Sequence, residues 1–184
     1  MAKIFLVRHG EAEQNVLHIL SSMSNGAQHG LTERGREQIR HVAVGLQMES
    51  VEMIFASPLR RTVETAEIIS QSLGLWYALD DRLRETDFGQ YAGRPVETFW
   101  QTYPRESDRI ETGISDGVES FRSVRARVSE FWQETSMECR GKNIVVISHG
   151  DTLQMLCGVI CGQSLEDTLQ DWNPKLGEVK ELAW

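Results

Sequence analysis

The sequence contains few cysteines, few prolines and no long hydrophobic run. Three cysteines among 184 residues argue against a disulfide-stapled secreted domain, because such domains carry a dense and even set. No apolar run approaches the roughly 20 residues that are needed to cross a membrane. The first residues, MAKIFLVRHG, lack the long apolar stretch and the cleavage site of a secretory signal. We therefore expect a cytoplasmic protein with no membrane partner.

Two of the cysteines, Cys157 and Cys161, lie four residues apart. On a helix they share a face with apolar neighbours, which favours reduced cysteines in the core. A redox or metal pair is the alternative, but it lacks further ligands at the usual spacing.

Positive charge is also scarce, with 19 Lys and Arg against 27 Asp and Glu and a net charge of −8. Duplex nucleic acid is bound mainly through a basic footprint, so we expect no nucleic-acid partner. A small anionic ligand is compatible with this composition if a local cluster of positive side chains binds it.

Short apolar runs alternate along the chain with longer segments of helical period, which is typical of α/β folds. Strands are predicted at 3–7, 51–57 and 143–148, with an edge strand at 179–184. Helices are predicted at 31–47, 57–74, 118–136 and 151–161. Ser57 is expected to cap the second of these helices and Gly74 to end it. We expect a single domain over 1–184, a three-layer α/β/α sandwich whose central sheet is mostly parallel, with helices on both faces.

From about residue 84 to 118 the regular pattern weakens. Glycines and prolines interrupt it, and aromatic residues are interspersed. An irregular stretch of this length in a compact domain is more often functional than idle. We expect residues 86–118 to cover a substrate cleft.

Polar side chains follow three of the predicted strands. They are Arg8 and His9 after the first strand, Ser57, Arg60 and Arg61 after the second, and His149 with Gly150 after the third. In open α/β sheets, ligands bind beyond the carboxyl ends of the strands. Guanidinium groups and helix N-termini suit phosphate, and histidine can also attack phosphorus. The pattern favours a phosphate or phosphoryl group as the ligand.

Two other interpretations of these residues remain at this point. Each histidine taken alone is compatible with an ordinary buried side chain, and each arginine with a solvated helix residue. A zinc site is the chemical rival, with ligands from His9, Glu11, Glu13 and His149. There is no HExxH pattern and the adjacent arginines disfavour a cation, so we expect no metal.

Five ordered blocks of sequence resemble the histidine phosphatase superfamily, the phosphoglycerate mutase-like family. The blocks are LVRHGEAEQN (6–15), LTERGREQ (31–38), SPLRRTVETA (57–66), LRETDFGQYAG (83–93) and VVISHGDTL (145–153). An RHG triplet alone would be a weak signal. The five blocks are specific because they keep the family order and cover nearly the whole chain.

The resemblance implies a role for each matching residue. His9 would be the nucleophile and would form a phosphohistidine. Glu85 would donate a proton to the leaving oxygen and later activate water. The phosphoryl oxygens would be held by Arg8, Asn15, Arg61 and His149, with Gly150 beside them. Arg61 rather than Arg60 matches the family position, and successive helix residues point about 100° apart, so only one should face the site.

The substrate side departs from the glycolytic mutase, because Phe88 and Val96 stand where that enzyme has a tyrosine and a lysine. The groups that would hold a phosphoglycerate carboxylate are thus mostly missing. We expect a cofactor-independent phosphatase of small phosphorylated metabolites, similar to the α-ribazole phosphatase or broad-specificity phosphatase branch. A phosphoglycerate mutase and a non-catalytic sensor of a phosphorylated ligand are the alternatives.

Candidates for contact with the rest of the substrate are Phe88, Tyr91, Arg94 and Trp100. The aromatic members either stack on a ring of the substrate or pack the segment that carries them, and we favour packing. The sequence leaves the oligomeric state open, with a homodimer as one alternative.

Overall fold

The computed structural model describes residues 1–23, 29–111 and 116–184. Its five strands are β1 (Lys3–Arg8), β2 (Met53–Ala56), β3 (Tyr77–Leu79), β4 (Ile144–Ser148) and β5 (Val179–Ala183). They form one sheet in the order β3-β2-β4-β1-β5. The strands are parallel except β5, which pairs antiparallel with β1 at one edge.

Helices connect the strands. They are α1 (Glu13–Val16), α2 (Glu33–Leu46), α3 (Arg60–Leu73), α4 (Val96–Thr102), α5 (Phe121–Glu138), α6 (Gly150–Ile160) and α7 (Leu165–Asp171). Short 3₁₀ helices at Asp81–Leu83, Gly89–Tyr91 and Glu106–Arg109 lie between β3 and α5.

The sheet has an apolar cluster on each face. Because successive strand residues point to opposite faces, the odd and even residues of β1 and β4 enter different clusters. Ile4, Leu6, Ile144 and Val146 pack with α5, α6 and α7. Phe5, Val7, Val145 and Ile147 pack with α2 and α3. This arrangement confirms the predicted α/β/α sandwich and its mostly parallel sheet.

The predicted elements are found with small changes in their bounds, and one capping prediction is wrong. The helix predicted from Ser57 begins at Arg60, with Leu59 at the N-cap position, and Ser57 does not cap it. Gly74 does end this helix, in the left-handed conformation at φ 67°. The sequence patterns missed α1, α4, α7 and β3, which have between three and seven residues each and are too short for a clear period.

The segment predicted to be irregular contains local structure. The described part of residues 84–118 includes α4 and two 3₁₀ helices, and residues 112–115 lie outside the described residues. Four of its aromatic residues, Phe88, Tyr91, Phe99 and Tyr103, form a cluster with Val118. These four rings pack together, whereas Trp100 is exposed.

The cysteines are free thiols. Cys139 and Cys157 are buried, whereas Cys161 is exposed at the end of α6, so only one member of the predicted core pair is in the core. Within the described residues, no helix has the length and apolar composition that crossing a membrane requires.

Candidate active site

The ends of β1 and β4 and the first turn of α3 meet at one edge of the sheet. His9 follows β1, His149 follows β4, and Arg61 is the second residue of α3. Arg61 Nε lies 3.2 Å from His9 Nε2 and 3.2 Å from His149 Nδ1, so one N–H is shared between the two imidazoles. The two imidazole rings stand edge to face with their centroids 5.2 Å apart.

The hydrogen bonds of the two rings define their tautomers. His9 Nδ1 donates to the carbonyl of Gly10 at 2.7 Å, so Nε2 carries the lone pair that accepts from Arg61. His149 Nε2 lies 2.8 Å from Ser57 Oγ and donates to it, because His149 Nδ1 accepts from Arg61. Both rings are therefore neutral in this arrangement.

Burial and positive neighbours keep both histidines neutral. The pKa of His9 lies well below its ordinary value, mainly because burial penalises the imidazolium and also because Arg61 and Arg8 repel it. Burial and Arg61 lower the pKa of His149 in the same way. Burial also lowers the pKa of Arg61, to about 10, so its guanidinium stays charged near neutral pH.

Neighbouring arginines of α3 point in different directions, as the helical period predicts. Arg61 is 2% exposed, and its Nη2 donates to the carbonyl of Ser21 at 3.1 Å. Arg60 bonds Glu64 through Nε at 2.8 Å on the outer side of the helix. Only Arg61 reaches the two histidines.

Three further predicted residues surround this centre. Arg8 donates through Nη1 to the carbonyl of Pro174 at 2.6 Å, and its Nε is buried without a partner among the described residues. Gly150 begins α6, where a Cβ would lie 3.4 Å from Arg8 Cζ. Asn15 Oδ1 accepts from the backbone N–H of Ala12 at 3.0 Å, so its carbonyl end is engaged and its amide end remains as a donor.

The glycine after His9 serves the packing of the backbone. A Cβ at Gly10 would lie 2.5 Å from the carbonyl oxygen of Gly35 in α2. This contact with α2 is the constraint that the structure shows at Gly10. The two glycines let β1 and α2 approach closely, which fixes where β1 delivers His9.

Glu85 lies beside His149, near the nitrogen to which Arg61 donates. Its Oε2 is 4.0 Å from His149 Nδ1, and its Oε1 accepts from the backbone N–H of Thr86 at 3.0 Å. Burial raises the pKa of Glu85 to about 7, and the charge of Asp151 adds to this rise, while Arg61 and Arg8 oppose it. Glu85 is thus a carboxyl group that gains and loses its proton near neutral pH.

Most of these residues line one pocket of about 240 Å³, whereas His149 is fully buried and is not part of its lining. The predicted site residues in the lining are Arg8, His9, Asn15, Arg61, Glu85 and Gly150. The remaining walls are formed by Gln14, Ile19, Leu20, Ser21, Phe88, Val96, Phe99, Trp100, Glu106, Arg109, Asp151 and Asn173.

The predicted substrate-side residues divide into two pairs. Phe88 and Trp100 line the pocket, and Trp100 is 41% exposed. Tyr91 instead packs among the aromatic rings, where its hydroxyl donates to Thr102 Oγ1 at 3.2 Å. Arg94 is exposed, and its carbonyl accepts from the backbone N–H of Leu20.

Sequence reasoning missed an ion pair in the wall of the pocket. Asp151 bonds Arg109, whose side chain is 2% exposed and lies 4.2 Å above the ring of Phe121. Asp151 was visible in the sequence, since it follows His149 and Gly150 directly. Arg109 carried no such signal, because it lies in the segment where the pattern is weak. Ser57 was visible as a polar residue after a strand but was read as a helix cap.

Glu11 and Glu13, the other members of the rejected zinc interpretation, have partners elsewhere. Glu11 accepts from Thr32 Oγ1 at 2.8 Å and lies 3.5 Å from Arg34. Glu13 accepts from the backbone N–H of Gly30 at 3.2 Å. Over residues 1–23, 29–111 and 116–184, no group of three or more His, Cys, Asp or Glu side chains is placed to hold a metal ion.

Comparison with known proteins identifies the class to which this site belongs. The family model of the histidine phosphatase superfamily (branch 1) matches residues 4–184. The chain therefore belongs to the histidine phosphatase superfamily.

Relatives and solved structures of several activities resemble the chain. Phosphoserine phosphatase 1 of Hydrogenobacter thermophilus is 32% identical over 169 residues, which are 90% of this chain and 79% of that protein. A protein of Enterobacter sp. named probable phosphoglycerate mutase GpmB is 31% identical over 166 residues, covering 88% and 76%. The α-ribazole phosphatase of Shigella flexneri matches in fold with a TM-score of 0.83 at 24% identity, covering 97% and 89%. The mycobacterial glucosyl-3-phosphoglycerate phosphatase matches with a TM-score of 0.87 at 23% identity, covering 100% and 91%.

Proposed function

We propose that this protein is a phosphatase that hydrolyses phosphate monoesters of small metabolites through a phosphohistidine on His9. The observation that carries the proposal is the state of His9, a buried neutral imidazole whose free lone pair on Nε2 meets the guanidinium of Arg61. A nucleophile needs that lone pair, and a transferring phosphoryl group needs the positive charge beside it.

In the first step, His9 Nε2 forms a bond to phosphorus while the bond from phosphorus to the ester oxygen breaks. The proton of Glu85 passes to that oxygen, which leaves as an alcohol. Arg8, Asn15 and Arg61 donate to the phosphoryl oxygens as their charge is redistributed. His149 joins them in the tautomer that carries its proton on Nδ1, in which Ser57 Oγ donates to Nε2. The carboxyl group of Glu85 suits this step because its raised pKa leaves a proton available near neutral pH.

In the second step, Glu85 is a carboxylate and takes a proton from a water molecule. The water oxygen bonds to phosphorus, the bond to His9 Nε2 breaks, and inorganic phosphate leaves. His9 is again neutral and Glu85 again carries a proton, so the cycle closes without a cofactor or an external redox partner.

The pocket supports a small substrate. Its volume of about 240 Å³ lies below the ~300–1,000 Å³ of typical ligand sites, which suits a small substrate. Relatives named for phosphoserine, glucosyl-3-phosphoglycerate and α-ribazole phosphatase activity support a small phosphorylated metabolite as the substrate. We retain a cytoplasmic location as a prediction, and we leave the choice between a monomer and a homodimer to measurement.

Trapping the intermediate tests the proposal. The enzyme is mixed with ³²P-labelled phosphoserine and quenched in alkali during turnover. We expect base-stable, acid-labile label on the wild-type protein and none on His9→Ala. The control is His41→Ala, which removes an exposed histidine of α2 and should keep the label. Phosphate release by His9→Ala at the wild-type rate would overturn the assignment of the nucleophile.

A second incubation separates hydrolysis from isomerisation, because relatives named as mutases are also similar to this chain. The enzyme receives 3-phosphoglycerate with a trace of 2,3-bisphosphoglycerate. We expect inorganic phosphate as the product. Rapid exchange between phosphoglycerate isomers without phosphate release would replace the phosphatase by the mutase. A panel of phosphorylated metabolites, scored by phosphate release, then identifies the substrate.

A further inference from the structure

Three consecutive backbone carbonyls just before Glu85 accept hydrogen bonds from three different elements. Arg127 Nη1 of α5 donates to the carbonyl of Arg82 at 2.6 Å. Ser148 Oγ at the end of β4 donates to the carbonyl of Leu83 at 2.6 Å. Thr152 Oγ1 in the first turn of α6 donates to the carbonyl of Arg84 at 2.7 Å.

The three donors are themselves fixed in place. Ser148 and Thr152 are fully buried, so packing restricts their rotamers. Arg127 is 9% exposed and is held by Glu119, which accepts from its Nε at 2.8 Å and its Nη2 at 3.1 Å. The backbone that precedes Glu85 is therefore hydrogen-bonded to rigid parts of the sandwich.

Two of these donors are close in sequence to the phosphate end of the pocket, which is the end formed by the predicted phosphate-binding residues and His9. Ser148 and Thr152 stand on either side of His149 and Gly150, and His149 is 4.0 Å from the Glu85 carboxylate. The short stretch from 148 to 152 thus contributes to the phosphate end of the pocket and also fixes the segment that bears the acid. A shift of the carbonyl of Arg84 would turn the peptide that precedes Glu85 and move its carboxyl group.

We propose that Arg127, Ser148 and Thr152 are positioning residues that hold Glu85 at the distance from the leaving oxygen that proton transfer requires. The inference rests on the proposed function, since it needs Glu85 as the acid. Catalytic groups have to be held within about 0.5 Å of their productive place, and a misplacement of 1 Å can cost ~10²-fold in rate.

Satisfying buried carbonyls is the purely structural role that these side chains would otherwise have. That role affects the stability of the fold and lowers activity on every substrate alike. Positioning of the acid affects kcat/KM only on substrates whose leaving oxygen needs a proton, because kcat/KM reports the steps up to departure of the leaving group and not the later activation of water by Glu85. Alkyl phosphates need it, whereas p-nitrophenyl phosphate has a leaving group that departs without one. The ratio of the two activities therefore separates the two roles.

The experiment compares kcat/KM on phosphoserine and on p-nitrophenyl phosphate for Thr152→Val, Ser148→Ala and Glu85→Gln. Thr152→Val removes the hydroxyl while keeping the shape of the side chain. We expect it to lower the alkyl activity about 10-fold and the aryl activity by less than about 2-fold. Thr152→Ser keeps a hydroxyl and should restore the alkyl activity. Glu85→Gln should show the same selectivity with a loss of ~10²–10⁴-fold on the alkyl substrate.

Thr168→Val is the matched control. Thr168 is a buried threonine of α7 whose hydroxyl donates to the carbonyl of Ser164 at 2.7 Å, and it does not belong to the pocket. Its substitution should leave the ratio of the two activities unchanged. Activity on p-nitrophenyl phosphate reports that each variant is folded, and Ser148→Ala provides a second probe if Thr152→Val does not fold.

Two results would overturn the inference. Equal losses on both substrates for Thr152→Val and Ser148→Ala, beside a selective Glu85→Gln, would leave these residues only their structural role while keeping Glu85 as the acid. An unselective Glu85→Gln would remove the acid from the proposed function, and the positioning role would fall with it. Label on His9 would still report the nucleophile independently.

Discussion

The two ends of the pocket are built on different kinds of backbone and carry opposite charge. The phosphate end lies at strand ends, where the backbone N–H of His9 and that of Ser57 continue the hydrogen bonding of the sheet. Its charged groups are the guanidinium groups of Arg8 and Arg61. The leaving-group end lies on the segment between β3 and α5 and on the first turn of α6. There the carboxyl groups of Glu85, Glu106 and Asp151 line the pocket together with the guanidinium group of Arg109.

This difference explains how one pocket can hold a neutral imidazole on His9 and a protonated carboxyl group on Glu85. Burial lowers the pKa of His9, and the neighbouring arginines lower it further. Burial raises the pKa of Glu85 to about 7, and Asp151 raises it further. His9 is therefore neutral and keeps its lone pair, while Glu85, with a pKa of about 7, keeps its proton in a large share of the molecules near neutral pH. Displaced pKa values of this kind are what the proposed nucleophile and the proposed acid require.

The largest effect should come from the phosphate end. Arg61→Lys removes the planar guanidinium group whose Nε–H contacts both histidines and whose terminal nitrogens contact Ser21. A lysine does not reproduce this rigid set of donors. We expect kcat/KM to fall ~10²–10³-fold, because losing one donor to a transferring group typically costs this much. The loss should be the same on phosphoserine and on p-nitrophenyl phosphate, since both share the phosphoryl group.

Arg60→Lys is the control for this change, because it alters the neighbouring arginine on the outer side of the same helix. It should keep kcat/KM within about 2-fold of the wild type, as surface substitutions commonly have small effects. A loss for Arg61→Lys that is confined to the alkyl substrate would contradict the division of the pocket into two ends.

The same division decides what the sequence could predict. Strand ends can be predicted from the sequence because a buried run such as IFLV stops at a definite residue. The pattern alone therefore placed Arg8, His9 and His149 together. The helical period allowed only one of Arg60 and Arg61 to face the site, and the family resemblance indicated Arg61. The other end was not readable, because Arg109 and Thr152 act through contacts between segments far apart in the chain. Only the family resemblance indicated Glu85, and no pattern indicated the three donors that hold its backbone.

A smaller effect should come from the leaving-group end, whose carboxyl groups make it the acidic end of the pocket. Glu85 is faced by Asp151, Arg61, Arg8 and His149, and among these charges Asp151 raises its pKa. The first step needs protonated Glu85, so kcat/KM on phosphoserine should fall as the pH rises through about 7. In Asp151→Asn the amide oxygen still accepts from Arg109, but the negative charge is gone. The pKa of Glu85 then falls, and we expect this limb of the pH profile to move about one unit lower, as for other neighbouring charges.

Glu130→Gln is the control for the loss of one negative charge, since Glu130 is exposed on α5. It should leave the pH profile in place. A limb that stays at the wild-type pH in Asp151→Asn would show that Asp151 does not act on the proton of Glu85. A limb that persists in Glu85→Gln would show that another group titrates there.

The smallest effect is on the free energy of unfolding. The histidines of one end of the pocket and Glu85 of the other contribute to it with opposite pH dependence. His9 and His149 have folded-state pKa values well below the ordinary 6.5, so near pH 5 to 6 the unfolded chain binds about two more protons at these sites. The free energy of unfolding therefore falls as the pH is lowered, by ~1.4 kcal/mol per pH unit for each histidine. Glu85 acts in the opposite direction. Its folded-state pKa of about 7 lies above the ordinary 4.5, so it stabilises the fold at low pH and this contribution is lost as the pH rises through about 7.

Between pH 5 and 6 the unfolded chain binds about one more proton at these three groups than the folded protein does. The free energy of unfolding therefore changes by ~1.4 kcal/mol per pH unit. In Glu85→Gln the glutamine cannot titrate, so the opposing contribution of Glu85 is removed. The pH dependence of the free energy of unfolding should then double to ~2.7 kcal/mol per pH unit. Urea unfolding at several pH values in this interval measures both slopes. All other ionisable groups are shared by the two proteins and cancel in the comparison. Equal slopes would mean that Glu85 does not hold its proton in the folded state, and the acidic end would then lack the proton that the first step requires.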